Sequence, residues 1–385
     1  MSWEKVKLGD IATFSNGINF GKDAYSSGVK LITVSDFGNL YYPDYASLNE
    51  VDEKVLRKND YLKEGDIVFV RSNGNKELVG RCMLISNPPA PVTYSGFCIR
   101  ARLNDTQLNN PHFFAYYFKS QIFRKAMSNS AVGANIQNLN QGLLSNHILS
   151  LPSLKEQKRI ADILSAYDDL IENNQKQIKL LEEAAQRLYK QWFIDLRYPG
   201  HETTKIIDGL PEGWKKESLG NLVPILTGKR DANYGTENGI YPFFTCSQEP
   251  IKAPSYSFDT SAVILAGNGD FNVKLYRGKF EAYQRTYVLA PKEKEYLYLV
   301  YNSVQEKMRE LYQGASGSTI KFLTKGMIES IPIVVPSNYI LEKFNELQDA
   351  IQKKMETLKM SIRFSVESRD RLLPKLMNEG FTKKG

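Results

Sequence analysis

The chain has 385 residues, enough for two or more domains with separate hydrophobic cores. Its 42% hydrophobic content is ordinary for a soluble globular protein, and its net charge of +7 moderately favours a polyanionic partner. No apolar run is long enough to span a membrane and the amino terminus lacks the apolar core of a signal peptide, so we expect a cytoplasmic protein. Three cysteines and three scattered histidines show no metal-ligand spacing, and we predict no metal site.

The sequence contains an internal repeat. Trp3 and Trp214 each open a Trp-x4-Leu-Gly segment, and Gly17 and Gly228 follow at the same separation of 211 residues. Near the end of each half, Gly133 and Gly317 open a second pair of similar segments, separated by 184 residues. Two similar modules present two similar binding surfaces, which indicates a protein that reads a two-part target.

Each half begins with a strand-rich part. Buried strands are predicted at 66–70 and 262–265, and a glycine turn follows each of them. This strand and turn extend the repeat at a third separation, 195 residues. Segments 112–128 and 295–312 are predicted to be matching helices with an aromatic face.

Each half ends with a predicted long helix. Apolar or small residues alternate at spacings of three and four along 160–192, the heptad seam of a coiled coil, and a seam with more polar positions follows at 344–376. The predicted seam residues are Ile160, Leu164, Ile171, Asn174, Ile178, Leu181, Leu188, Phe344, Ile351, Met355, Leu358, Ile362 and Leu372. A helix over 155–193 spans about 55–60 Å and needs a partner. The partner is either the other long helix of the chain, packed antiparallel, or a helix of another subunit.

These patterns predict an α+β chain in which strand-rich domains alternate with long helices. The predicted parts are a first strand-rich domain at 1–152, a first long helix at 153–196, a linker with the second strand-rich domain at 197–336, and a second long helix with a tail at 337–385.

The start of the first long helix resembles a known family. The segment LPSLKEQKRIADIL at 151–164, with RLYKQWF at 187–193, is similar to the first conserved region of type I restriction–modification specificity subunits. The Trp-x4-Leu-Gly segments resemble the beginning of that family's target-recognition domains, and 133–139 and 317–323 resemble their closing signature. The second long helix begins differently, with NYILEKF at 338–344.

The resemblance implies two tandem target-recognition domains separated by two long helices that form an antiparallel coiled coil, with a pseudo-twofold axis relating the halves. Each domain would recognise one half of a bipartite, gapped site in double-stranded DNA, and the helices would set the spacing. Two methyltransferase subunits would dock on the chain, bind S-adenosylmethionine and methylate adenine, with or without restriction subunits that carry endonuclease and translocase activity. The chain itself would be non-catalytic and would bind no cofactor.

Donor-rich loops beside the predicted strands are the candidate DNA-binding segments. Arg, Lys, Asn and Gln side chains on such loops reach base edges, although they also suit phosphate contacts or solvated turns. In the first module the candidates are Lys22, Tyr25, Arg71, Asn73, Asn75, Lys76, Arg81, Asn135 and Gln137. In the second they are Lys229, Arg230, Asn233, Tyr234, Asn268, Lys274, Arg277, Gln284, Arg285, Ser318 and Lys321.

Other function classes fit the sequence less well. A specificity subunit of a related restriction or defence system would share this body, and a coiled-coil scaffold with protein-binding domains explains the helices but not the basic loops. Asn87-Pro-Pro-Ala90 has alanine where an amino-methyltransferase stacks an aromatic ring on a flipped base. Asp44, Asp52 and Lys54 resemble a nuclease's metal-binding set, but they lie in a polar loop. The chain has no Gly-x4-Gly-Lys-Ser/Thr loop for ATP.

Overall fold

Two compact units make up the chain. The structure, a computed structural model, describes residues 3–38, 41–72, 79–130, 139–269, 271–317 and 321–378. Unit 1 comprises Met1–Gln175 with Met360–Gly385, and unit 2 comprises Lys176–Lys359. Both divisions fall inside the long helices, so each unit contains one strand-rich domain and a part of each long helix.

Short strands and aromatic helices build the domain of unit 1. The strands are β1 (Glu4–Lys7), β2 (Ala12–Asn16), β3 (Val29–Ile32), β4 (Asn49–Val51), β5 (Ile67–Val70), β6 (Cys82–Leu84), β7 (Val92–Tyr94), β8 (Cys98–Leu103) and β9 (Ile148–Leu151). The helices are α1 (Leu8–Ile11), α2 (Pro111–Lys119), α3 (Gln121–Ser130), α4 (Gln141–Asn146) and α5 (Leu154–Tyr189), the last of which continues into unit 2.

The sheets of unit 1 are centred on β5 and β3. One sheet has the order β2-β8-β5-β6 and another the order β4-β3-β7, while β1 pairs with β9. All four residues of β5 are buried, as the apolar sequence IVFV predicts. β5 runs antiparallel to β8, with Val68 opposite Arg100, whereas β3 runs parallel to β7, with Leu31 opposite Thr93.

The aromatic segment expected to be one helix over 112–128 forms two helices, α2 and α3. Ser120 lies between them with an extended backbone, and its Oγ accepts a hydrogen bond from the N–H of Phe123 (3.3 Å). Phe118 of α2 packs against Phe69 of β5, with ring centroids 4.9 Å apart, and Phe123 of α3 packs against Phe118 at the same distance. The break lets both helices place aromatic rings on one core.

The strands described in the domain of unit 2 vary in length from 2 residues to 10. They are β10 (Ile206–Ile207), β11 (Leu210–Pro211), β12 (Lys215–Ser218), β13 (Ile225–Thr227), β14 (Tyr241–Phe244), β15 (Ile251–Ala253), β16 (Phe258–Ala266), β17 (Val273–Ala282), β18 (Thr286–Leu289) and β19 (Pro332–Val335). The helices are α6 (Leu219–Leu222), α7 (Leu297–Gly314), α8 (Lys325–Glu329) and α9 (Asn338–Leu376). A π-helical turn, Lys190–Ile194, follows α5.

The domain of unit 2 contains a six-stranded sheet with the order β13-β18-β16-β17-β14-β15, and β10 pairs with β11 and β12 with β19. β17 pairs antiparallel with β16 and parallel with β14. In unit 1, β6 has the antiparallel partner β5 and β7 has the parallel partner β3, so β6 and β7 together occupy the place of β17. Pro88, Pro89 and Pro91 lie between β6 and β7. Proline has no N–H for a strand ladder, which explains the interruption.

Within each unit α5 and α9 pack antiparallel. In unit 1, Arg369 Nη1 donates to Asp168 Oδ1 (2.6 Å), and Asn174 Nδ2 donates to Ser361 Oγ (2.9 Å). A later residue of α5 therefore meets an earlier residue of α9. Asn174 is only 4% exposed, and its bond to Ser361 satisfies the polar seam position that the heptad pattern predicts.

The same packing continues within unit 2. Gln348 Nε2 donates to the backbone oxygen of Ala185 (3.3 Å), and the ring of Tyr189 lies 6.4 Å from that of Phe344. Every residue assigned to the predicted seam is buried or half-buried. The buried members are Ile160, Leu164, Asn174, Phe344, Met355 and Leu358.

Three further observations bear on the class of protein. Across the residues with described positions, no helix is both long and apolar enough to cross a bilayer. The same residues include no cluster of three or more His, Cys, Asp or Glu side chains that could hold a metal ion. Burial raises the pKa of the Cys82 thiol to about 11 and that of the Cys98 thiol to about 12, so both remain neutral core side chains.

Candidate nucleic-acid interface

Loops from several strand ends meet on one surface of unit 2. The N–H of Gln284 donates to the carbonyl of Arg230 (2.9 Å), which joins the turn after β17 to the segment after β13. The N–H of Gly267 donates to the carbonyl of Arg285 (2.9 Å), and the N–H of Leu323 donates to the carbonyl of Gly267 (2.8 Å). These bonds fasten the loops at 228–234, 267–269, 283–285 and 321–323 into one layer, which we call the loop surface.

Most of the predicted DNA-binding residues of unit 2 lie on the loop surface or beside it. Lys229, Arg230, Asn233, Gln284 and Arg285 are exposed, and Tyr234, Asn268, Lys274 and Lys321 are half-buried. Ser318 lies outside the described residues. The surface therefore presents hydrogen-bond donors of the kinds that contact phosphates and read base edges.

Arg230 is held in place by two neighbours. Its Nε lies 3.5 Å from Oε2 of Glu281, and its guanidinium carbon lies 4.4 Å from the centre of the Tyr234 ring. Glu281 is fully buried, while the side chain of Arg230 is 43% exposed. Glu281 could not be identified from the sequence, because an acidic residue carries none of the hydrogen-bond donors expected near DNA.

A polar network supports the loop after β16. Cys246 Sγ donates to Oδ1 of Asn268 (2.7 Å), and Asn272 Nδ2 donates to the carbonyl of Cys246 (3.1 Å). Lys274 Nζ donates to the carbonyl of Ser247 (2.8 Å) and also bonds the Asn272 side chain. Lys274 therefore fastens the 245–247 segment in addition to carrying charge, a role that its residue type does not reveal.

Two other predicted residues also have partners within unit 2. Lys321 Nζ donates to the carbonyl of Tyr312 (3.1 Å) and lies 4.2 Å from the centre of its ring. Arg277 Nη2 donates to the hydroxyl of Tyr298 (2.6 Å) and to Oδ1 of Asp349 on α9 (3.1 Å). Arg277 thus lies against the helices α7 and α9, and the structure does not bring it to the loop surface.

The hydrogen bonds that Asp349 accepts lower the pKa of its carboxyl group. Burial of Asp349 opposes ionisation, but hydrogen bonds from Tyr298 and Arg277 outweigh it and lower the pKa of this carboxyl below its ordinary value. The carboxylate therefore stays ionised at neutral pH and holds both donors.

Unit 1 repeats the backbone pattern of the loop surface. The N–H of Arg71 donates to the carbonyl of Phe97 (2.8 Å), and the N–H of Leu139 donates to the carbonyl of Arg71 (2.9 Å). These bonds match those of Gly267 in unit 2. Tyr25 is half exposed, and Arg81 is half-buried with its carbonyl bonded to Val70 (2.9 Å).

Several predicted residues of unit 1 are not described. They are Asn73, Asn75, Lys76, Asn135 and Gln137, together with the side chain of Lys22, whose backbone begins a short 3-10 turn.

Phe97 is a surface residue that sequence reasoning missed. Its side chain is 58% exposed, and the hydrogen-bond pattern places it at the position of Arg285 in unit 2. A phenylalanine ring donates no hydrogen bonds, so the two units present different chemistry at this position. An alignment of the turn at 95–98 with that at 283–286 would have found it.

Comparison with known proteins places this geometry in context. A family profile described as the type I restriction modification DNA specificity domain matches residues 1–183 and 211–368. The specificity subunit of the type I restriction enzyme EcoDI from Escherichia coli is 39% identical over 180 residues, which cover 45% of this chain and 40% of that protein. The MjaIX specificity subunit from Methanocaldococcus jannaschii is 25% identical over 411 residues, covering 97% of this chain and 92% of its own length.

A solved structure has a similar fold. The crystal structure of the S subunit of a type I restriction–modification system from M. genitalium superposes with a TM-score of 0.58 at 17% sequence identity. The superposition covers 98% of this chain and 96% of the other. At this identity the likeness shows the fold, and it confirms the predicted α+β architecture with two strand-rich domains and long helices.

Proposed function

Because the chain belongs to the family of type I restriction modification DNA specificity domains, we propose that it selects DNA by reading a two-part site, one part with each unit. The family profile matches the chain in two segments, 1–183 and 211–368. The observation that carries the proposal is that both units join their surface loops with the same backbone hydrogen bonds, around Arg71 in unit 1 and around Gly267 in unit 2.

The loop surface of unit 2 supports both kinds of DNA contact. Exposed Lys229 is a flexible cation suited to phosphate, while Gln284 and Arg285 on the neighbouring turn carry the donor groups that read base edges. In unit 1, Phe97 adds an exposed aromatic ring to the corresponding face, and Tyr25 is a second exposed ring of this unit. The two units thus present different side chains on a shared scaffold, which suits two different half-sites.

The proposal assigns catalysis to other subunits. The relatives from E. coli and M. jannaschii are named specificity subunits of type I restriction enzymes. By analogy, methyltransferase subunits would dock on this chain, supply S-adenosylmethionine and methylate adenine, and restriction subunits would join them for cleavage. We propose two methyltransferase subunits, because the chain has two modules.

The long helices are proposed to fix the distance between the two DNA half-sites. α5 runs without interruption from Leu154 to Tyr189, about 54 Å at about 1.5 Å per residue. A stiff helical pair suits this task, because half-sites must be met at a set separation and rotational phase along the duplex.

Sequencing of DNA methylation tests the proposal. The chain is co-expressed with the methyltransferase subunit of its host system in a strain that lacks adenine methylation, and modified adenines are mapped across the genome. We expect a motif of two specified parts separated by an unspecified gap.

The control is the methyltransferase expressed without the chain, which should leave the genome unmodified. A motif with one continuous part, or an unmodified genome despite a purified and intact complex, would refute the proposal.

A further inference from the structure

A buried carboxylate lies directly behind the loop surface of unit 2. Glu281, near the end of β17, is 0% exposed. Ser257 Oγ donates to its Oε2 (2.7 Å), and the backbone N–H of Ala282 donates to its Oε1 (3.0 Å). These neutral donors satisfy part of the hydrogen-bonding capacity of the carboxylate. Burial of its negative charge still requires a cation nearby. Within the described ranges that cation is Arg230, whose Nε lies 3.5 Å from Oε2.

A fixed aromatic ring holds the other side of the Arg230 guanidinium. The guanidinium carbon lies 4.4 Å from the centre of the Tyr234 ring, within range for a cation–π contact. Tyr234 is itself fixed, since its hydroxyl and Ser255 Oγ are 2.8 Å apart and its ring meets Phe243 edge-on at 6.2 Å. The side chain of Arg230 is nevertheless 43% exposed.

The bonded edge of the guanidinium is the Nε edge. Within the part of the chain that the structure describes, the two Nη nitrogens have no hydrogen-bond partner. A guanidinium fixed at Nε and stacked on one face keeps its Nη fork available in one orientation. Two such donors match the O6 and N7 acceptors of guanine in the major groove.

The fold does not require this ion pair. The N–H of Gly96 donates to the carbonyl of Ile18 (2.6 Å) in unit 1, just as the N–H of Gln284 donates to that of Arg230 in unit 2. Ile18 therefore takes the place of Arg230 in unit 1, where both units have the same backbone arrangement. Among the residues described in unit 1, the Arg230 position is held by the uncharged Ile18, so the shared backbone forms there without a cation.

We propose that Arg230 reads a guanine in the half-site bound by unit 2, and that Glu281 and Tyr234 are positioning residues that hold its guanidinium for this contact. The inference rests on the proposed function. Fixing a long side chain in advance removes much of the conformational entropy that binding would otherwise cost. A phosphate contact, in contrast, needs only a positive charge, which neighbouring Lys229 provides without any such support.

Arg230→Lys is the informative substitution, because it keeps the charge opposite Glu281 and removes the two-pronged fork. Methylation motifs are determined for the complex with wild-type chain, Arg230→Lys and Arg230→Ala. We expect both variants to lose the guanine requirement at one position of one half-site, where discrimination falls by roughly 5- to 150-fold. The other half-site should stay unchanged.

Glu281→Gln tests the positioning role, since the amide keeps the size of the side chain and an acceptor for Ser257. We expect partial loss of discrimination at the same position and at no other. Arg309→Ala is the matched control, because Arg309 is exposed on α7 and should leave the motif unchanged.

The possible outcomes separate the inference from the proposed function. If the wild-type complex yields no two-part motif, the proposed function fails first. If it does, methylation that weakens evenly at all sites would assign Arg230 to a phosphate contact and overturn the inference. A motif that is unchanged in both Arg230 variants would also overturn it. Thermal unfolding and co-purification with the methyltransferase show whether each variant is folded; should Arg230→Ala unfold, the Arg230→Lys motif decides alone.

Discussion

Backbone crowding explains why glycine recurs at positions 17 and 228. A Cβ added to Gly228 would lie 2.0 Å from the carbonyl oxygen of Ala282, and one added to Gly17 would lie 2.3 Å from that of Tyr94. Real Cβ atoms do not approach so closely. The repeat visible in the sequence therefore marks a place where two backbone segments meet without room for a side chain.

Gly228→Ala should lower the free energy of unfolding by about 3 kcal/mol, because a backbone carbonyl cannot move aside as a flexible side chain can. Gly326→Ala is the control, since its added Cβ meets no atom within 4 Å. It should leave stability unchanged or raise it by up to about 1 kcal/mol. Urea unfolding of the full chain measures both, and equal effects would contradict the crowding argument.

Residue type predicts which side chains suit DNA, but it does not predict their partners. Lys229 and Arg285 are exposed on the loop surface, as the sequence predicts for loop cations. Arg277 is the same type of residue three positions beyond Lys274, yet it bonds Tyr298 and Asp349 against the helices. The direction of a side chain depends on strand register and sheet twist, and these follow from pairings distant in sequence.

At the level of elements, a tyrosine, an aspartate and an arginine fasten each domain to the long helices of its own unit. In unit 1, Tyr116 of α2 donates to Asp168 Oδ2 (2.5 Å), and Arg369 of α9 donates to Asp168 Oδ1 (2.6 Å). Burial raises the pKa of Tyr116 far above its ordinary value, so its hydroxyl stays protonated and remains a donor.

Unit 2 reaches the same chemistry from other positions. Tyr298 of α7 and Arg277 of β17 both donate to Asp349 of α9. The aspartate lies on a long helix in each unit, but on α5 in unit 1 and on α9 in unit 2. These contacts link the orientation of each domain to its helices.

Asp168→Ala should destabilise the chain by about 3 kcal/mol, because it leaves Arg369 and Tyr116 without their shared acceptor in a largely buried setting. Glu156→Ala on the same helix is the control. Glu156 pairs with Arg159, whose side chain is 49% exposed, and loss of such a pair costs about 0.5 kcal/mol. Urea unfolding compares the two variants; an Asp168→Ala effect as small as the control would show that the domain is held by apolar packing alone.

The long helices could be predicted from the sequence, while some shorter elements could not. A heptad seam is a local pattern of polarity, so Ile160, Leu164 and Phe344 identify it without any knowledge of the partner. The break at Ser120 depends on how aromatic rings reach the sheet, and it has no proline or glycine to mark it. The interruption between β6 and β7 does have such a mark, in three prolines at 88–91.

At the scale of the whole molecule, the repeat is visible in the sequence but its register is not. The bonds of Arg71 to Phe97 and of Gly267 to Arg285 make Arg71 and Gly267 equivalent, at a separation of 196 residues. The sequence alone suggested 195. Apolar strands of similar composition align almost equally well one residue apart, and only the hydrogen-bond ladder decides between them.

In the long helices, the residues that correspond in the sequence repeat are not the residues that face each other. The repeat, at a separation of 184 residues, makes Leu358 the counterpart of Asn174. The antiparallel packing instead places Ser361 opposite Asn174, with their side chains 2.9 Å apart. An insertion that keeps the two helices paired must therefore follow Asn174 in α5 and directly precede Ser361 in α9.

Four helix-forming residues inserted at both points should lengthen the gap in the recognised DNA site. They add about 6 Å of helix, roughly two base pairs at about 3.4 Å each. They also rotate the helix by about 40°, against about 70° for two base pairs of duplex, so the change in phase is small. Methylation sequencing of the assembled complex should show both half-sites unchanged and a gap about two base pairs longer.

Insertion after Asn174 alone is the matched control for this experiment. It shifts the part of α5 after Asn174 by about one turn relative to α9. The contact of Gln348 with Ala185 then cannot form together with the pairs Asn174–Ser361 and Asp168–Arg369. We therefore expect loss of stability and of methylation, not a longer gap. A folded, active double-insertion complex with an unchanged gap would mean that the DNA, and not the helix length, determines the spacing.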